Sequence, residues 1–370
     1  MKYYYSIFNQ NIEFQLPDNE ELNRNFVLQF SLYETKEKND PSIIIELLDV
    51  PIIIEDGMRN PKIHNELPNG FNITSHDGST SYEIKNGILY IKAYIKFEKS
   101  LILKFIKKVI NWEYTTREEK IGQIVFERLL VPSTFFFPKY FPVHCACFLS
   151  PNNKVVLIGG TGGVGKTSAE IEFCLNRGYK FLCDDIAILN VNGELYPNYS
   201  FPKIYGYNIV DNYKMKKIVF HNRSLLDKIS WVIQKWVLGT AKVRRKINPE
   251  AVYSIPIGNN FPVHSFFILA LEFRDDFIIS RISPETATQL NLNVIRTEYA
   301  QFFNHIDWHL FNKRVDGSSP IVNNDTLFPM MNQASIKALE KVKCYIIRAP
   351  IKIKHQAFIQ ELCNLVEQNL

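Results

Sequence analysis

The chain lacks the features that would mark a secreted or membrane-embedded protein. It has no long hydrophobic run: residues 266–271 are among the longest, and they are too few to cross a bilayer. Its first residues form no apolar signal-peptide core, so we expect a cytoplasmic protein. Only six of the 370 residues are cysteine, and they are scattered, which fits reduced thiols better than a disulfide framework.

The chain also lacks a strong charge of either sign. Its formal net charge is +5 and it has no long basic tract, so we expect no nucleic-acid partner and no membrane partner. This small positive net charge still permits an acidic or phosphorylated ligand. Core-forming residues are abundant, with 46% hydrophobic and 13% aromatic residues. This length and composition predict two folded domains and leave a homo-oligomer open.

Residues 1–98 are rich in strand patterns and predict a mostly β N-terminal domain. Runs of β-branched residues occupy 43–48 and 51–54, and Asn86-Gly87 between two alternating runs predicts a β-hairpin. His64 and His76 lie in polar surroundings, where we expect solvated side chains. Residues 99–142 predict a helical connector, because apolar residues recur at helical spacing over 101–112 and again over 116–130.

The strongest motif begins at residue 160. An apolar run, residues 155–158, leads into the P-loop pattern G-x-x-x-x-G-K-[ST], and a helical pattern follows. Glycines let backbone N–H groups curl round a phosphate that side chains would block. Lys166 would neutralise the β- and γ-phosphates of ATP, and Thr167 would offer its hydroxyl to Mg²⁺. The positions expected to bind the nucleotide are Gly160, Thr161, Gly162, Gly163, Val164, Gly165, Lys166, Thr167 and Ser168.

Two adjacent aspartates interrupt the strand pattern of residues 180–189. Unpaired carboxylates are costly to bury in an apolar run, and an NTPase keeps its Mg²⁺ carboxylate just after a strand beside the P-loop. We therefore expect one of the two aspartates, Asp184 or Asp185, to hold the metal with Thr167. His144, Cys145 and Cys147 are not expected to form a zinc site, because on a strand His144 points to the opposite face from the two cysteines. No second C-x-C or C-x-x-C supplies the remaining ligands either.

The order of these elements carries a family resemblance. His144 before the P-loop, and Arg177-Gly178 shortly before Asp184-Asp185, resemble the HPr kinase/phosphorylase family, itself similar to the catalytic core of phosphoenolpyruvate carboxykinase. The match covers about residues 120–200 well. The β-rich N-terminal part differs from that of the bacterial enzyme, and its glycine-rich signature after the aspartate pair is absent. The chain is therefore more similar to divergent HPr-kinase-like proteins, some of which act on the serine hydroxyl of a modified peptide.

The resemblance implies an α/β fold with a P-loop kinase domain over residues 143–370, preceded by the β domain and carrying a variable insertion at about 205–256. It implies transfer of the ATP γ-phosphoryl group to a hydroxyl, with serine of a peptide or protein as partner. Asp184 would accept the hydroxyl proton, which leaves Asp185 with Thr167 for the metal, and His144 would orient or stabilise the reacting phosphate. Lys166 completes the catalytic set.

The insertion contains further candidates. Residues 225–238 predict an amphipathic helix, and a basic cluster follows at 242–246. One interpretation is that Arg244 or Arg245, with Arg245 the preferred candidate, reaches over the ATP phosphates or docks an acidic peptide. The other is that the cluster is a solvated loop. His305 and His309 are spaced like metal ligands on a helix but lack the glutamate of H-E-x-x-H, so packing or surface roles are expected.

Two other functions use the same motifs. One is a small-molecule kinase, which should have a closed pocket where a peptide kinase has an open groove beside Lys166. The other is an ATP-dependent switch or hydrolase without an acceptor. The absence of N-K-x-D and T-K-x-D speaks against a GTPase, and the absence of L-S-G-G-Q speaks against a transporter-type ATPase.

Overall fold

The computed structural model describes residues 1–35, 40–54, 57–60, 63–97, 116–210, 212–221 and 223–370. Over these residues the chain has a mixed α/β fold with sheets of seven, eight and two strands. Within the same residues, no helix combines the length and the apolar character needed to cross a bilayer. The helical pattern expected over 101–112 lies outside the described residues.

The N-terminal sheet has the strand order β1-β2-β3-β7-β6-β5-β4. Its strands are β1 (Lys2–Ile7), β2 (Gln10–Gln15), β3 (Ile43–Leu48), β4 (His64–Leu67), β5 (Gly70–Ser75), β6 (Gly78–Lys85) and β7 (Ile88–Ile95). Asn86 and Gly87 join β6 to β7 with φ of +52° and +77°, as a two-residue hairpin with both φ positive requires. Residues 51–54 form no strand, and Pro51 has no N–H to offer a ladder.

The larger sheet holds the glycine-rich loop. It contains β8 (Tyr140–Leu149), β9 (Val155–Gly160), β10 (Lys180–Cys183), β11 (Ile186–Asn190), β12 (Glu194–Tyr196), β15 (Phe261–Glu272), β16 (Ile278–Arg281) and β17 (Lys343–Pro350). A separate ribbon pairs β13 (Lys203–Tyr205) with β14 (Arg244–Lys246). The pairings β8-β11-β12-β15-β9 return to β8, so these strands close a ring. All residues of β9 are buried, which its uninterrupted apolar sequence predicts.

The aspartate pair lies at a break in one edge of this sheet. β10 and β11 both pair with β8, through Cys183 opposite Cys147 and Ile186 opposite His144. The two aspartates between them leave the ladder, and Asp185 has a φ of +83°. A non-glycine residue in this region costs on the order of 1–3 kcal/mol and often marks a functional site.

Helices cover both sheets. They include α1 (Glu20–Gln29), α2 (Arg117–Gln123), α3 (Lys166–Asn176), α4 (Gly206–Ile209), α5 (Tyr213–Phe220), α6 (Leu225–Leu238), α7 (Pro284–Glu298), α8 (Ala300–Asp316), α9 (Asn324–Leu339) and α10 (His355–Gln368). A π-helical segment (Ile124–Leu130), a short helix (Val131–Ser133) and 3₁₀ turns (Thr134–Phe136, Pro249–Ala251) complete the set. The helix expected over 116–130 is therefore present, begun by Thr116, whose hydroxyl accepts from the N–H of Glu119.

The N-terminal sheet is joined to the rest of the protein by buried aromatic and polar contacts. Phe30, just after α1, stacks on Phe126 of the π-helical segment with ring centroids 5.2 Å apart. On the other side, His64 of β4 lies 3.1 Å from His305 of α8, nitrogen to nitrogen. The expectation of a solvated His64 is wrong, because this interface buries it completely. His76 is largely exposed, as expected.

Glu66 anchors the same interface. Its carboxylate accepts from His309 Nδ1 at 2.8 Å and forms an ion pair with Lys313 at 3.2 Å. Burial by itself raises the pKa of Glu66, but hydrogen bonds from His309 and His64 outweigh it and lower the pKa to about 2. Burial and the neighbouring His64 lower the pKa of His305 to about 4. The two histidines of α8 are therefore packing residues, which is one of the two roles expected for them.

Candidate active site

The glycine-rich loop connects β9 to α3, and its glycines are required for different reasons. Gly160 has a φ of +133°, and a Cβ there would lie 2.7 Å from the carbonyl oxygen of Leu269. Gly165 has a φ of +102°, and its Cβ would lie 2.7 Å from Cε1 of Phe358. By contrast, a Cβ on Gly162 or Gly163 would meet no described atom within 4 Å. The loop is therefore tightly packed at both ends and open in its middle.

Lys166 begins α3 and turns back into this loop. Its ammonium donates to the carbonyl oxygens of Gly160 at 3.2 Å and Thr161 at 2.9 Å. Burial lowers the pKa of Lys166, although the charges of Asp185 and Asp184 oppose the shift. A cation is thus held inside the loop by two backbone carbonyl oxygens.

Thr167, the next residue, contacts the first aspartate of the pair. Its Oγ1 donates to Oδ1 of Asp184 at 2.9 Å, and the other carboxylate oxygen accepts from the backbone N–H of Lys203 at 3.0 Å. Asp184 is buried, and burial together with the charge of Asp185 raises its pKa. Glu170, one turn further along α3, is also buried, and burial and the charge of Asp184 raise its pKa well above the ordinary value.

Asp185 is the more accessible member of the pair, with 35% of its side chain exposed. It accepts from Lys203 Nζ at 2.7 Å and from His144 Nε2 at 3.1 Å. Burial by itself raises the pKa of Asp185, but the Lys203 ammonium and the His144 ring outweigh it and hold the pKa well below the usual range. Asp185 is therefore a carboxylate at neutral pH.

His144 links the aspartate pair to the loop. Its Nδ1–H donates to the carbonyl oxygen of Gly160 at 2.8 Å, while Nε2 faces Asp185. Both ring nitrogens thus contact oxygen atoms, which fixes the orientation of the ring. The backbone N–H of His144 is itself fixed by Asn291 Oδ1 of α7 at 3.1 Å.

Two site residues were missed by sequence reasoning. Lys203, which contacts both aspartates, forms a second ion pair with Glu127 at 2.9 Å. Glu127 also lies 3.5 Å from Lys246, whose pKa burial lowers to about 8. For Lys203, the only sign in the sequence is a basic residue directly after Phe201-Pro202. For Glu127, nothing in the surrounding pattern distinguishes it from a solvent-exposed residue on a helix.

Ser168 does not face the loop interior. Its Oγ accepts from Asn208 Nδ2 at 2.7 Å and lies 3.0 Å from Nε2 of His355, at the start of α10. It thereby ties α4 and α10 to the first turn of α3. Val164, also expected to touch the nucleotide, has a buried side chain, so the contact it can offer is through its backbone.

Arg245 lies apart from the loop residues. It is only 1% exposed, and its guanidinium contacts Asp227 of α6 at 3.2 Å. A further nitrogen donates to Gln234 Oε1 at 2.9 Å. Residues 244–246 form a strand where a loop was one of the expectations. These contacts use the guanidinium inside the insertion, so the structure does not support the phosphate contact expected of Arg245.

A cavity of about 680 Å³ adjoins the exposed side of the aspartate pair. His144, Asp185 and Lys203 line it together with residues of the N-terminal sheet and of α8. The sheet contributes Ser75, Tyr82 and Tyr94, the turn between β5 and β6 contributes Asp77, and α8 contributes Phe302, His305 and Trp308. The volume is within the range of ligand-binding pockets, and its walls combine an ionic end with an aromatic one.

Behind the aspartates lies a second cluster. Cys145, Cys147 and Cys183 are buried, and their sulfur atoms all lie within 4.8 Å of one another. Cys183 comes from β10, and its distance along the chain from the other two gave no sign of this contact. His144 points away from this cluster, towards Gly160 and Asp185. The three thiols pack as small apolar groups under the site.

Comparisons with known proteins add little to this geometry. No protein-family model matches the chain, and no curated protein matches it. Among solved structures, it is similar to the Hpr(Ser) kinase/phosphatase from Coxiella burnetii, with 13% sequence identity and a TM-score of 0.25. The similarity covers 62% of this chain and 95% of the other. A TM-score this low supports no conclusion, so the function has to be argued from the site.

Proposed function

We propose that this chain is a Mg²⁺-dependent kinase that transfers the γ-phosphoryl group of ATP to a hydroxyl, with serine in a peptide or protein as the acceptor. The observation that carries the proposal is the 2.9 Å contact between Thr167 Oγ1 and Asp184, next to a glycine-rich loop that ends in Lys166. Such a loop, with a carboxylate beside its Ser/Thr hydroxyl, is how P-loop NTPases hold phosphates and magnesium.

The residues present fit this ligand. The loop has open space over Gly162 and Gly163, where a phosphate needs close access to backbone N–H groups. Thr167 and Asp184 offer hard oxygen ligands side by side, as Mg²⁺ prefers. When held there, the ion would neutralise part of the charge on the phosphates. When a nucleotide binds, the Lys166 ammonium would donate to phosphate oxygens in place of the carbonyl oxygens of Gly160 and Thr161.

The accessible carboxylate suits the acceptor. Asp185 lines the cavity, whereas Asp184 is buried against Thr167. We therefore assign metal binding to Asp184 and the contact with the acceptor hydroxyl to Asp185, which reverses the roles expected from the sequence. As the new bond to phosphorus forms and ADP leaves, the hydroxyl proton passes to Asp185. Since phosphoryl transfer has a loose transition state, positioning matters more than basicity, and a carboxylate of low pKa suffices.

His144 and Lys203 act on Asp185. His144 is held by the Gly160 carbonyl and by Asn291, so it fixes the carboxylate relative to the loop. Lys203 adds a positive charge 2.7 Å from the same carboxylate. This ammonium can help to stabilise negative charge on a transferring group next to Asp185. The acceptor would approach through the cavity, with the N-terminal sheet and α8 as its outer walls.

Matched substitutions in the two aspartates test the proposal. Asp184→Asn should lower Mg²⁺-dependent nucleotide affinity at least tenfold, as measured by calorimetry. Asp185→Asn should leave nucleotide affinity within about threefold and lower transfer by about 10²–10⁴-fold, the usual contribution of a positioned acid or base. Asp275→Asn, in an exposed turn, is the control. Transfer is followed from labelled ATP to a serine-containing peptide library by mass spectrometry.

Other outcomes distinguish the alternatives. Interchanged phenotypes for the two aspartates would reverse our assignment and keep the kinase. Labelling of small hydroxyl compounds but no peptide would indicate a small-molecule kinase. Rapid ATP turnover that no acceptor changes would indicate a switch or hydrolase. A wild-type chain that binds no nucleotide in the presence of Mg²⁺ would remove the basis of the proposal.

A further inference from the structure

Helix α6 buries its polar side and exposes its apolar side, which is the reverse of an ordinary surface helix. Its buried side chains are Asp227, Ser230, Trp231 and Gln234, most of them polar. Its outward side carries large apolar residues whose exposed fractions run from 41% to 88%. This apolar face of α6 comprises Leu225, Leu226, Ile229, Val232, Ile233, Trp236 and Val237.

The buried guanidinium of Arg245 explains the orientation. It pairs with Asp227, hydrogen bonds to Gln234, and lies 5.1 Å from the ring centre of Trp231. A buried cation without such partners is strongly destabilising. Turning α6 to bury its apolar face would remove the partners of Arg245. The exposure of the apolar face is therefore imposed by the packing of the insertion.

The apolar face is broad and continuous. At ~100° per residue, its members span an arc of about 140° on the helix, and Lys228 and Lys235 lie along one edge of that arc. Together they expose on the order of 700 Å², more than the ~300–600 Å² of the largest apolar patch on a typical monomer. A patch of this kind marks a binding surface.

The charged residues around the apolar face of α6 indicate what kind of partner it can bind. In the described part of residues 205–246 no carboxylate is exposed, and Asp227 is buried against Arg245. The exposed lysines there are Lys214, Lys216, Lys217, Lys228, Lys235 and Lys242. Pairing with a second copy through the same patch would bring these cations together. A suitable partner is apolar in its interior and anionic at its surface.

We propose that the apolar face of α6 binds the surface of an anionic lipid bilayer. A convex helix with a wide apolar arc, a tryptophan on it and lysines beside it lies in the plane of a bilayer interface. Trp236 and Val232 enter the boundary between headgroups and acyl chains, and the lysines contact lipid phosphates near the surface. The expected absence of a membrane partner rested on the mild net charge and the lack of a long basic tract, but lysines that folding places beside one apolar face need no such tract.

Vesicle co-sedimentation with the full chain tests this site. The wild-type protein should bind phosphatidylcholine vesicles containing about 30% phosphatidylglycerol at least tenfold more tightly than phosphatidylcholine alone, and added salt should weaken binding. The V232Q/W236Q variant should bind at least tenfold more weakly, because two apolar side chains no longer leave water. K228Q/K235Q should weaken binding to anionic vesicles by about 30-fold. Phe273→Gln, an 84% exposed apolar residue elsewhere, should have no effect.

Several results would overturn the proposal. The first is a wild-type protein that stays in the supernatant with both kinds of vesicle. A V232Q/W236Q variant that binds vesicles as tightly as the wild type would also overturn it. So would a Phe273→Gln variant that loses as much vesicle affinity as V232Q/W236Q. If V232Q/W236Q instead converts a dimer into a monomer in sedimentation equilibrium, a second copy occupies the face and the bilayer assignment is wrong. Unchanged thermal unfolding confirms that the surface variants fold.

Discussion

Substitution of Gly165 by alanine should destabilise the protein by about 3 kcal/mol, and two effects add to that figure. The φ of +102° at Gly165 lies where L-residues are strained, at a cost of ~1–2 kcal/mol. The new Cβ would also lie 2.7 Å from Cε1 of Phe358. Because Phe358 is buried, its ring moves only at the expense of packing, which costs ~1–3 kcal/mol.

Alanine substitutions at two neighbouring glycines distinguish the backbone strain from the clash with Phe358. Gly163 has a φ of +80°, but an alanine Cβ there would have no described atom within 4 Å, so Gly163→Ala should lose only the backbone part, ~1–2 kcal/mol. Gly162 has neither positive φ nor a close neighbour among the described residues, so Gly162→Ala should change stability by less than ~0.5 kcal/mol. The expected order of destabilisation is Gly165, then Gly163, then Gly162.

Urea unfolding measures all three, with the transition midpoint as readout and an unchanged slope as the check on two-state behaviour. A double-mutant cycle with Phe358→Leu isolates the contact, since the smaller side chain leaves more room for the new methyl group. Gly165→Ala should cost about 1 kcal/mol less in that background. Equal costs for Gly165→Ala and Gly163→Ala, or no coupling to Phe358, would refute the packing account of the loop.

Three further predictions concern charges at and near the site. Lys203→Met should cost ~3 kcal/mol at pH 7, because it strands Asp185 and Glu127, and less at pH 4, where those carboxylates take up protons; urea unfolding at both pH values measures the difference. For His305 the folded pKa of about 4 lies below the ordinary value of 6.5, so the folded state holds fewer protons and stability should fall by up to ~3 kcal/mol as pH drops between these values. His305→Leu should flatten that slope, and a slope equal to wild type would exclude His305 as its source. Finally, ATP with Mg²⁺ at about 100 times Kd should stabilise the wild type by ~2.7 kcal/mol; Thr167→Ala should lower the Mg²⁺-dependent part of this stabilisation and leave the part seen with a chelator unchanged.

The sequence by itself determined the elements that depend on neighbouring residues. The hairpin at Asn86-Gly87 follows from two residues that tolerate positive φ, and the apolar run of β9 followed by glycines predicts a strand, a loop and a helix. The break between β10 and β11 follows from two adjacent carboxylates in an apolar run. Each of these depends on backbone preference or on a short period, which a few consecutive residues encode.

Only the tertiary structure decided which side chains meet. His144 reaches Asp185 across 41 positions of sequence, and His64 reaches His305 across 241, so neither contact has a local period. The pairing of Thr167 with Asp184 follows an irregular turn with positive φ at Asp185, where strand alternation no longer predicts direction. The same holds for α6: its pattern is amphipathic, but the contacts of Arg245 with Asp227 and Gln234 turn the polar side of the helix inward, and no local period encodes those contacts.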